Sequence, residues 1–184
     1  MTHQLYRGKI LVATPALDSD KMFRQSVVFI YEEKDETIFG LVLNKPSKLT
    51  IADACRLTKF QHEHSLIDNQ QKLYTGGPVG QESLVLLHSN EWQSTNTHQV
   101  AHNLAVSSDK LMIEKLLMGN VPKDYKLLSG VSTWHPRQLA MEIHYGTWLQ
   151  ISTPDPYMFF TKEGKAGWMD CIKKVSSEQV ESYI

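Results

Sequence analysis

The chain predicts an α+β fold, and three observations carry that reading. Short runs rich in Val, Ile, Leu, Phe and Tyr recur at residues 9–14, 25–31, 37–43, 83–88, 100–106, 125–131, 147–151 and 157–160, each with the length or alternation of a strand. Helical spacing appears at fewer places, in residues 50–59, 108–118 and 136–145 and from 165 onward. No internal repeat, low-complexity tract or linker divides the 184 residues, so one core and one domain over 1–184 are expected, with 176–184 as a mobile tail.

Taken in order, residues 9–14 contain Ile10, Leu11 and Val12 and read as a buried strand that Pro15 stops. Asp18 or Ser19 then caps one helical turn carrying Met22 and Phe23. Residues 25–31 and 37–43 form a hairpin around a solvated turn at 32–36, and Gly40 inside the second strand marks a bulge or a close backbone approach. Asn44 and Pro46 end that strand as a structural turn, because proline cannot donate to a ladder.

Thr50 is the expected N-cap of a helix to about 59, with Ile51, Ala54, Cys55 and Leu57 inward, and 61–71 is expected to be surface loop. Gly76, Gly77 and Pro78 form a turn expected to need positive φ, after which 83–88 is a strand and 91–97 a polar loop. Residues 100–106 read as one strand with Val100, His102, Leu104 and Val106 on one face, and Ser107 or Ser108 caps the next helix. In that helix Met112 and Leu116, and Ile113 and Leu117, pair at i,i+4, and Gly119 closes it. Residues 125–131 are a strand reaching toward Trp134. A helix opens at Pro136 with Leu139 and Ile143 inward, and Gly146 ends it. Two strands follow, at 147–151 and 157–160, and then a helix with Trp168, Cys171 and Ile172 inward.

Composition narrows the function classes. Hydrophobic residues make up 41% and charged residues 21%, ordinary for a folded domain. A formal net charge of −1 gives no global pull toward nucleic acid or anionic lipid. No apolar run approaches the roughly 20 residues of a spanning helix, so no membrane association is expected. Arg7 and Lys9 precede an apolar stretch as in a signal peptide, but Pro15, Asp18 and Asp20 break the pattern. Two cysteines, Cys55 and Cys171, are too few for a disulfide framework, and a reduced, cytoplasmic protein is the simple reading.

Motifs for chemistry are sparse. The eight histidines include the pairs His62/His64 and His98/His102, but they lie in polar stretches without the three or four converging ligands of zinc, and no metal or other cofactor is expected. The Gly76–Gly80 turn lacks the lysine and following Ser or Thr of a phosphate loop. No GxSxG elbow is present, both cysteines fall on apolar helix faces, and the carboxylate pairs Asp18/Asp20 and Glu32/Glu33 sit in solvated turns. The basic cluster Lys45, Lys48, Arg56 and Lys59 lacks a helix-turn-helix around it, so direct nucleic-acid binding is not expected. The most site-like stretch is Trp134, His135, Arg137, Gln138 and Glu142, reaching to Trp148. A helix opening at Pro136 points unpaired N–H groups at the loop before it, with cationic neighbours and a stacking indole; the alternative is that both tryptophans anchor the core and Gln138 braces a loop.

Four ordered blocks give the chain a resemblance to the AlgH-like family. They are Ala13–Leu17 as ATPAL with Phe23, Ser26-Val27-Val28 and Gly40–Pro46; Gly76-Gly77-Pro78-Val79; Gly130, Trp134, Pro136, Gln138-Leu139 and Glu142-Ile143; and Trp148-Leu149. Departures from the family pattern fall at Glu33 after the second strand and at Val131, Thr133, His135 and Arg137 in the third block, where they make the local loop stiffer and more basic. The resemblance implies a bent, bifurcated, mostly antiparallel sheet forming a partial barrel with helices packed outside it. It implies no reaction, cofactor or catalytic residue, although members often carry a transcriptional-regulator label. The expected role is therefore non-enzymatic binding or regulation through another protein, and the alternative is a small-ligand binder or enzyme working at Trp134–Glu142.

Overall fold

A computed structural model describes residues 5–57, 66, 70–152, 154–160 and 163–181. The strands are β1 (Ile10–Ala13), β2 (Val27–Lys34), β3 (Thr37–Val42), β4 (Pro46–Thr50), β5 (Lys72–Thr75), β6 (Val79–Ser89), β7 (Thr97–Ala101), β8 (Leu104–Ser107), β9 (Tyr125–Trp134) and β10 (Trp148–Ile151). The helices are α1 (Ile51–Leu57), α2 (Lys110–Leu117), α3 (Pro136–His144) and α4 (Gly164–Glu181), with single 3-10 turns at Pro15–Leu17 and Pro156–Met158.

All ten strands join one sheet in the order β10-β1-β2-β3-β9-β6-β8-β7, with β4 paired to β5. Every pairing is antiparallel except β5 on β9. The sheet forks along β9, whose residues 132–134 pair with β3 while Leu128 and Ser129 pair with β5. The curl makes a half-barrel, as the resemblance implies, in the α+β class that the sequence predicts.

Apolar side chains on both strand faces explain why the strands read as continuous apolar runs. Ile10, Val12, Val27, Phe29, Leu41, Val85, Leu87 and Leu128 share one core that spans both halves of the sheet. Their neighbours turn the other way: Leu11, Ala13, Val28 and Ile30 pack with Leu139 of α3, while Leu86 and Leu127 pack under α1 and α2. Helix α4 sits on the shared face, where Cys171 and Val175 are buried and the Trp168 indole donates to Ala13 O at 2.8 Å.

Several local expectations need correction. The 3-10 turn at Pro15 is capped by Thr14, and Asp20, not Asp18 or Ser19, accepts from the amides of Met22 and Phe23. Strand β2 runs on through Glu32–Lys34, and the hairpin turns on Asp35 and Glu36, both at positive φ as a two-residue turn requires. Residues 97–107 are two strands, β7 and β8, joined at His102-Asn103. Asp109 caps α2 by accepting from Met112 N, because Ser107 is buried inside β8. Residues 157–160 are not a strand, since Asp155 and Pro156 open a 3-10 turn there. Helix α4 continues to Glu181, past the point where a tail was expected. The expected end of α1 and most of the 61–71 loop, with Lys59, His62 and His64, lie outside the described residues.

Glycines 76 and 77 are needed for a reason other than positive φ. A Cβ on Gly77 would lie 2.1 Å from the Val131 carbonyl carbon, and one on Gly76 2.3 Å from Gly130 O, so the β5–β6 connection presses on β9 backbone. The positive φ in this turn belongs to Gly80. Gly40 permits a close approach, because a Cβ there would meet Val28 at 2.7 Å and Trp134 at 3.0 Å.

Candidate functional site

The predicted cluster assembles from three elements. Trp134 is the last residue of β9, Glu142 lies on α3, and Trp148 is the first residue of β10. Helix α3 returns the chain because Gly146, at positive φ, donates to Ile143 O while Thr147 N donates to Glu142 O, a closure that only a left-handed residue allows. Both indoles then face one carboxylate: Trp134 Nε1 donates to Glu142 Oε2 at 3.1 Å and Trp148 Nε1 at 2.7 Å. Gln138 Nε2 donates to the other oxygen at 2.8 Å. Phe23 packs on both indoles, at ring-centre distances of 5.8 and 5.6 Å.

Trp134, Gln138, Glu142 and Trp148 therefore converge, and they satisfy one another. Both indoles are buried, which makes them core anchors whose N–H groups need an acceptor, and the half-buried Glu142 supplies it. His135 and Arg137 stay outside this cluster and are exposed. His135 is the N-cap of α3, its Nδ1 accepting from Arg137 N at 3.2 Å, with Glu36 at 4.0 Å from its other ring nitrogen.

A larger groove of about 560 Å³ lies between the end of β2 and the edge strand β7. Two of its charged residues, Glu33 and Arg7, tie β2 and the chain before β1 to the edge strand β7. Glu33 accepts from the amides of Tyr6 and Arg7, and the Arg7 guanidinium donates to Gln99 O at 2.7 Å.

A third cluster was not singled out in the sequence. Lys126 of β9 is buried, and its Nζ donates to Leu43 O at 2.6 Å and stands 4.2 Å from the centre of the Tyr74 ring. Tyr74 OH donates to Glu163 Oε1 at 2.9 Å, and Lys72 Nζ pairs with Oε2 at 2.7 Å. Lys126, Lys72 and Tyr74 line a cavity of about 210 Å³ with Tyr125, Ile51 and Phe160. Burial lowers the Lys126 amine to about 8, against a partial lift from the Glu163 charge, while burial followed by the Glu163 contact raises the Tyr74 hydroxyl to about 12. Hydrogen bonds from Lys72 and Tyr74 hold Glu163 below its ordinary value despite partial burial. One signal for this site was present in the sequence: Lys126 and Leu128 are two apart on a strand, so both face the shared core.

Other reactive types are structural. Burial pushes both thiols, Cys55 and Cys171, up to about 11, and no disulfide joins them. The buried His88 is bonded to Ser89 O and Ser107 Oγ, both at 2.9 Å, and burial lowers its pKa. His98 and His102 are exposed. Among the described residues no three His, Cys, Asp or Glu side chains gather as metal ligands, and no helix is long and apolar enough to cross a membrane.

Comparison with known proteins agrees with this architecture. The family model described as AlgH-like matches residues 10–179. A UPF0301 protein of Haemophilus influenzae is 31% identical over 154 residues, covering 83% of this chain and 82% of that protein. A UPF0301 protein of Shewanella loihica is 28% identical over 155 residues, covering 84% and 83%. The solution structure of the AlgH protein from Pseudomonas aeruginosa superposes with a TM-score of 0.78 at 23% identity, covering 94% of this chain and 89% of that one, a likeness of fold. A Corynebacterium diphtheriae crystal structure superposes with a TM-score of 0.68 at 25% identity, covering 92% and 86%. With a half-barrel of this topology and a family match across almost all its length, the chain belongs to the AlgH-like family.

Proposed function

We propose that this chain is a cytoplasmic, non-enzymatic binding protein. It takes a small ligand in the cavity beside Lys126 and passes the effect to a protein partner, so that any influence on transcription is indirect. The carrying observation is the Lys126 cavity, where a desolvated amine and three aromatic rings meet around about 210 Å³ and two lining side chains, Lys72 and Tyr74, bond the Glu163 carboxylate. The Trp134–Trp148 cluster serves less well, because its carboxylate already accepts three internal donors. A protein partner in place of DNA fits the formal net charge of −1. A reducing compartment suits two buried thiols with no disulfide between them.

A thermal-shift screen of small neutral aromatic compounds tests the ligand reading. Hits should raise the melting temperature of the wild type and lose that effect in Lys126→Met, provided the variant itself keeps its far-UV spectrum and a cooperative melt. Hits indifferent to Lys126→Met would overturn the assignment. The partner is tested by affinity capture with and without a hit compound, and an identical set of captured proteins would refute coupling between ligand and partner.

A further inference from the structure

Resting on the Lys126 cavity as a ligand site, we infer that its ligand is a small, flat aldehyde or ketone held as a reversible imine on the Lys126 amine. The geometry of the amine is the first reason. Its Nζ is fixed by one acceptor, Leu43 O at 2.6 Å, and by the face of the Tyr74 ring at 4.2 Å. Among the described residues no carboxylate forms an ion pair with it, because Glu163 is engaged by Lys72 and Tyr74. A lysine in a tight ion pair is locked as an ammonium, whereas this one, among the described residues, has a single hydrogen-bond acceptor and lines a cavity.

The walls select the ligand class. Tyr74, Tyr125 and Phe160 favour a flat, weakly polar body. An anionic ligand would need an uncommitted cation, and the Lys72 charge is already paired with Glu163 at 2.7 Å. A non-covalent polar ligand would have to compensate the desolvated amine with new hydrogen bonds. A carbonyl compound instead converts the amine into a neutral imine, which removes the cost of a buried charge.

The chemistry balances without a further reactant. The amine lone pair attacks the carbonyl carbon, a C–N bond forms, and the carbonyl oxygen becomes the hydroxyl of a carbinolamine. Expulsion of that oxygen leaves C=N, and both amine hydrogens depart with it as one water. No group is oxidised or reduced. These protons leave with the departing oxygen, so the step needs no side chain to supply or remove one, and the Tyr74 hydroxyl stays bonded to Glu163. With the amine lowered to about 8 from the ordinary 10.5, its unprotonated share near neutral pH exceeds that of a surface lysine by roughly a few hundred-fold.

The test is borohydride trapping. The full chain is incubated with benzaldehyde and sodium cyanoborohydride at several pH values, and labelled peptides are mapped by mass spectrometry. The expected result is one benzyl group on Lys126, formed roughly tenfold or more faster than on any other lysine, with a rate that rises through about 8. In Lys126→Met the fast phase disappears while the far-UV spectrum and a cooperative melt are retained. Labelling spread over surface lysines, or a Lys126 rate that rises only at the ordinary lysine value, overturns the inference. Benzyl alcohol separates the two readings. If it and benzaldehyde stabilise the wild type alike, and neither stabilises Lys126→Met nor traps, the cavity binds ligands but not covalently. If neither shifts the melting temperature and nothing is trapped, both readings fall.

Discussion

Burial of the Lys126 amine makes a quantitative prediction about folding. In the unfolded chain the amine titrates near the ordinary 10.5, and in the folded chain near 8. Between those values the unfolded state holds a proton that the folded state has released, so stability increases with pH there. Below about 8 both states are protonated, and the folded state bears the full cost of a buried ammonium. Applying the linkage relation to these two values, raising the pH from about 7 to about 9.5 should stabilise the folded state by about 2 kcal/mol through this one group. The ionisable neighbours are Glu163, Lys72, Tyr74 and Tyr125. Glu163 stays ionised throughout the interval, and the Tyr74 hydroxyl, at about 12, stays protonated.

Lys126→Met isolates the effect. Methionine fills much of the same space, removes the titration, and leaves Leu43 O without its donor at a cost of about 1–3 kcal/mol. Near neutral pH that cost is offset by relief of the buried charge, so the two proteins should have similar stabilities. By about pH 9.5 the wild type should lead by about 2 kcal/mol more than it does at neutrality. Urea unfolding at half-unit pH steps, with equal m-values confirming comparable transitions, reads the difference directly. Parallel pH profiles for the two proteins would refute a desolvated amine, and with it the reasoning behind the cavity.

Other perturbations act on separate parts of the fold. Glu142→Ala strands two buried indole N–H groups and should cost about 2–4 kcal/mol by urea unfolding, with a change in tryptophan fluorescence; Glu142→Gln, which keeps an acceptor oxygen, should cost about half as much. Asn44→Ala removes the acceptor of Val27 N and the donors to Gln25 O and Gly164 O, and a loss of about 3 kcal/mol is expected by the same assay. Gly77→Ala should give no cooperative melt, since the added Cβ meets backbone at 2.1 Å, whereas Gly146→Ala meets nothing and should cost only about 1 kcal/mol for its positive φ. His88 is held neutral by burial, so stability should fall as pH drops below the ordinary 6.5; His88→Gln should weaken that acid sensitivity in melts from pH 7 to about 5.

The strands were legible because their side chains serve cores on both faces, which writes an apolar run into the sequence. Residues 97–107 misled for the converse reason. The β7–β8 turn, His102-Asn103, contains neither glycine nor proline, so nothing in the apolar alternation marks where the strand folds back. Residues 157–160 carry strand-like aromatics, yet Asp155 accepts from Tyr157 N and turns the chain before a ladder can form. The Trp134–Trp148 stretch was recognisable as a cluster from residue types alone. The end of α3 at Gly146 was legible too, but that the Glu142 carboxylate falls between the two indoles depends on how β9 and β10 are set apart in the sheet, which no local pattern encodes.

Lys126 was the least legible, and the fork in the sheet accounts for it. Where β3 ends at Val42 and the chain crosses toward β4 at Pro46, β9 changes neighbour from β3 to β5. Leu43 lies in that gap and is fully buried, so its carbonyl needs a donor from outside the strand ladder. The Lys126 amine supplies it across 83 residues of sequence, a separation that hides the pairing from any local reading. An ammonium brings three donors to a place that needs one. A neutral hydroxyl or amide on a long side chain would satisfy Leu43 O at lower desolvation cost, so the carbonyl alone does not explain a lysine here. The remaining donors, the adjoining cavity and the neighbouring Tyr74–Glu163 pair are what distinguish this amine from a simple structural brace.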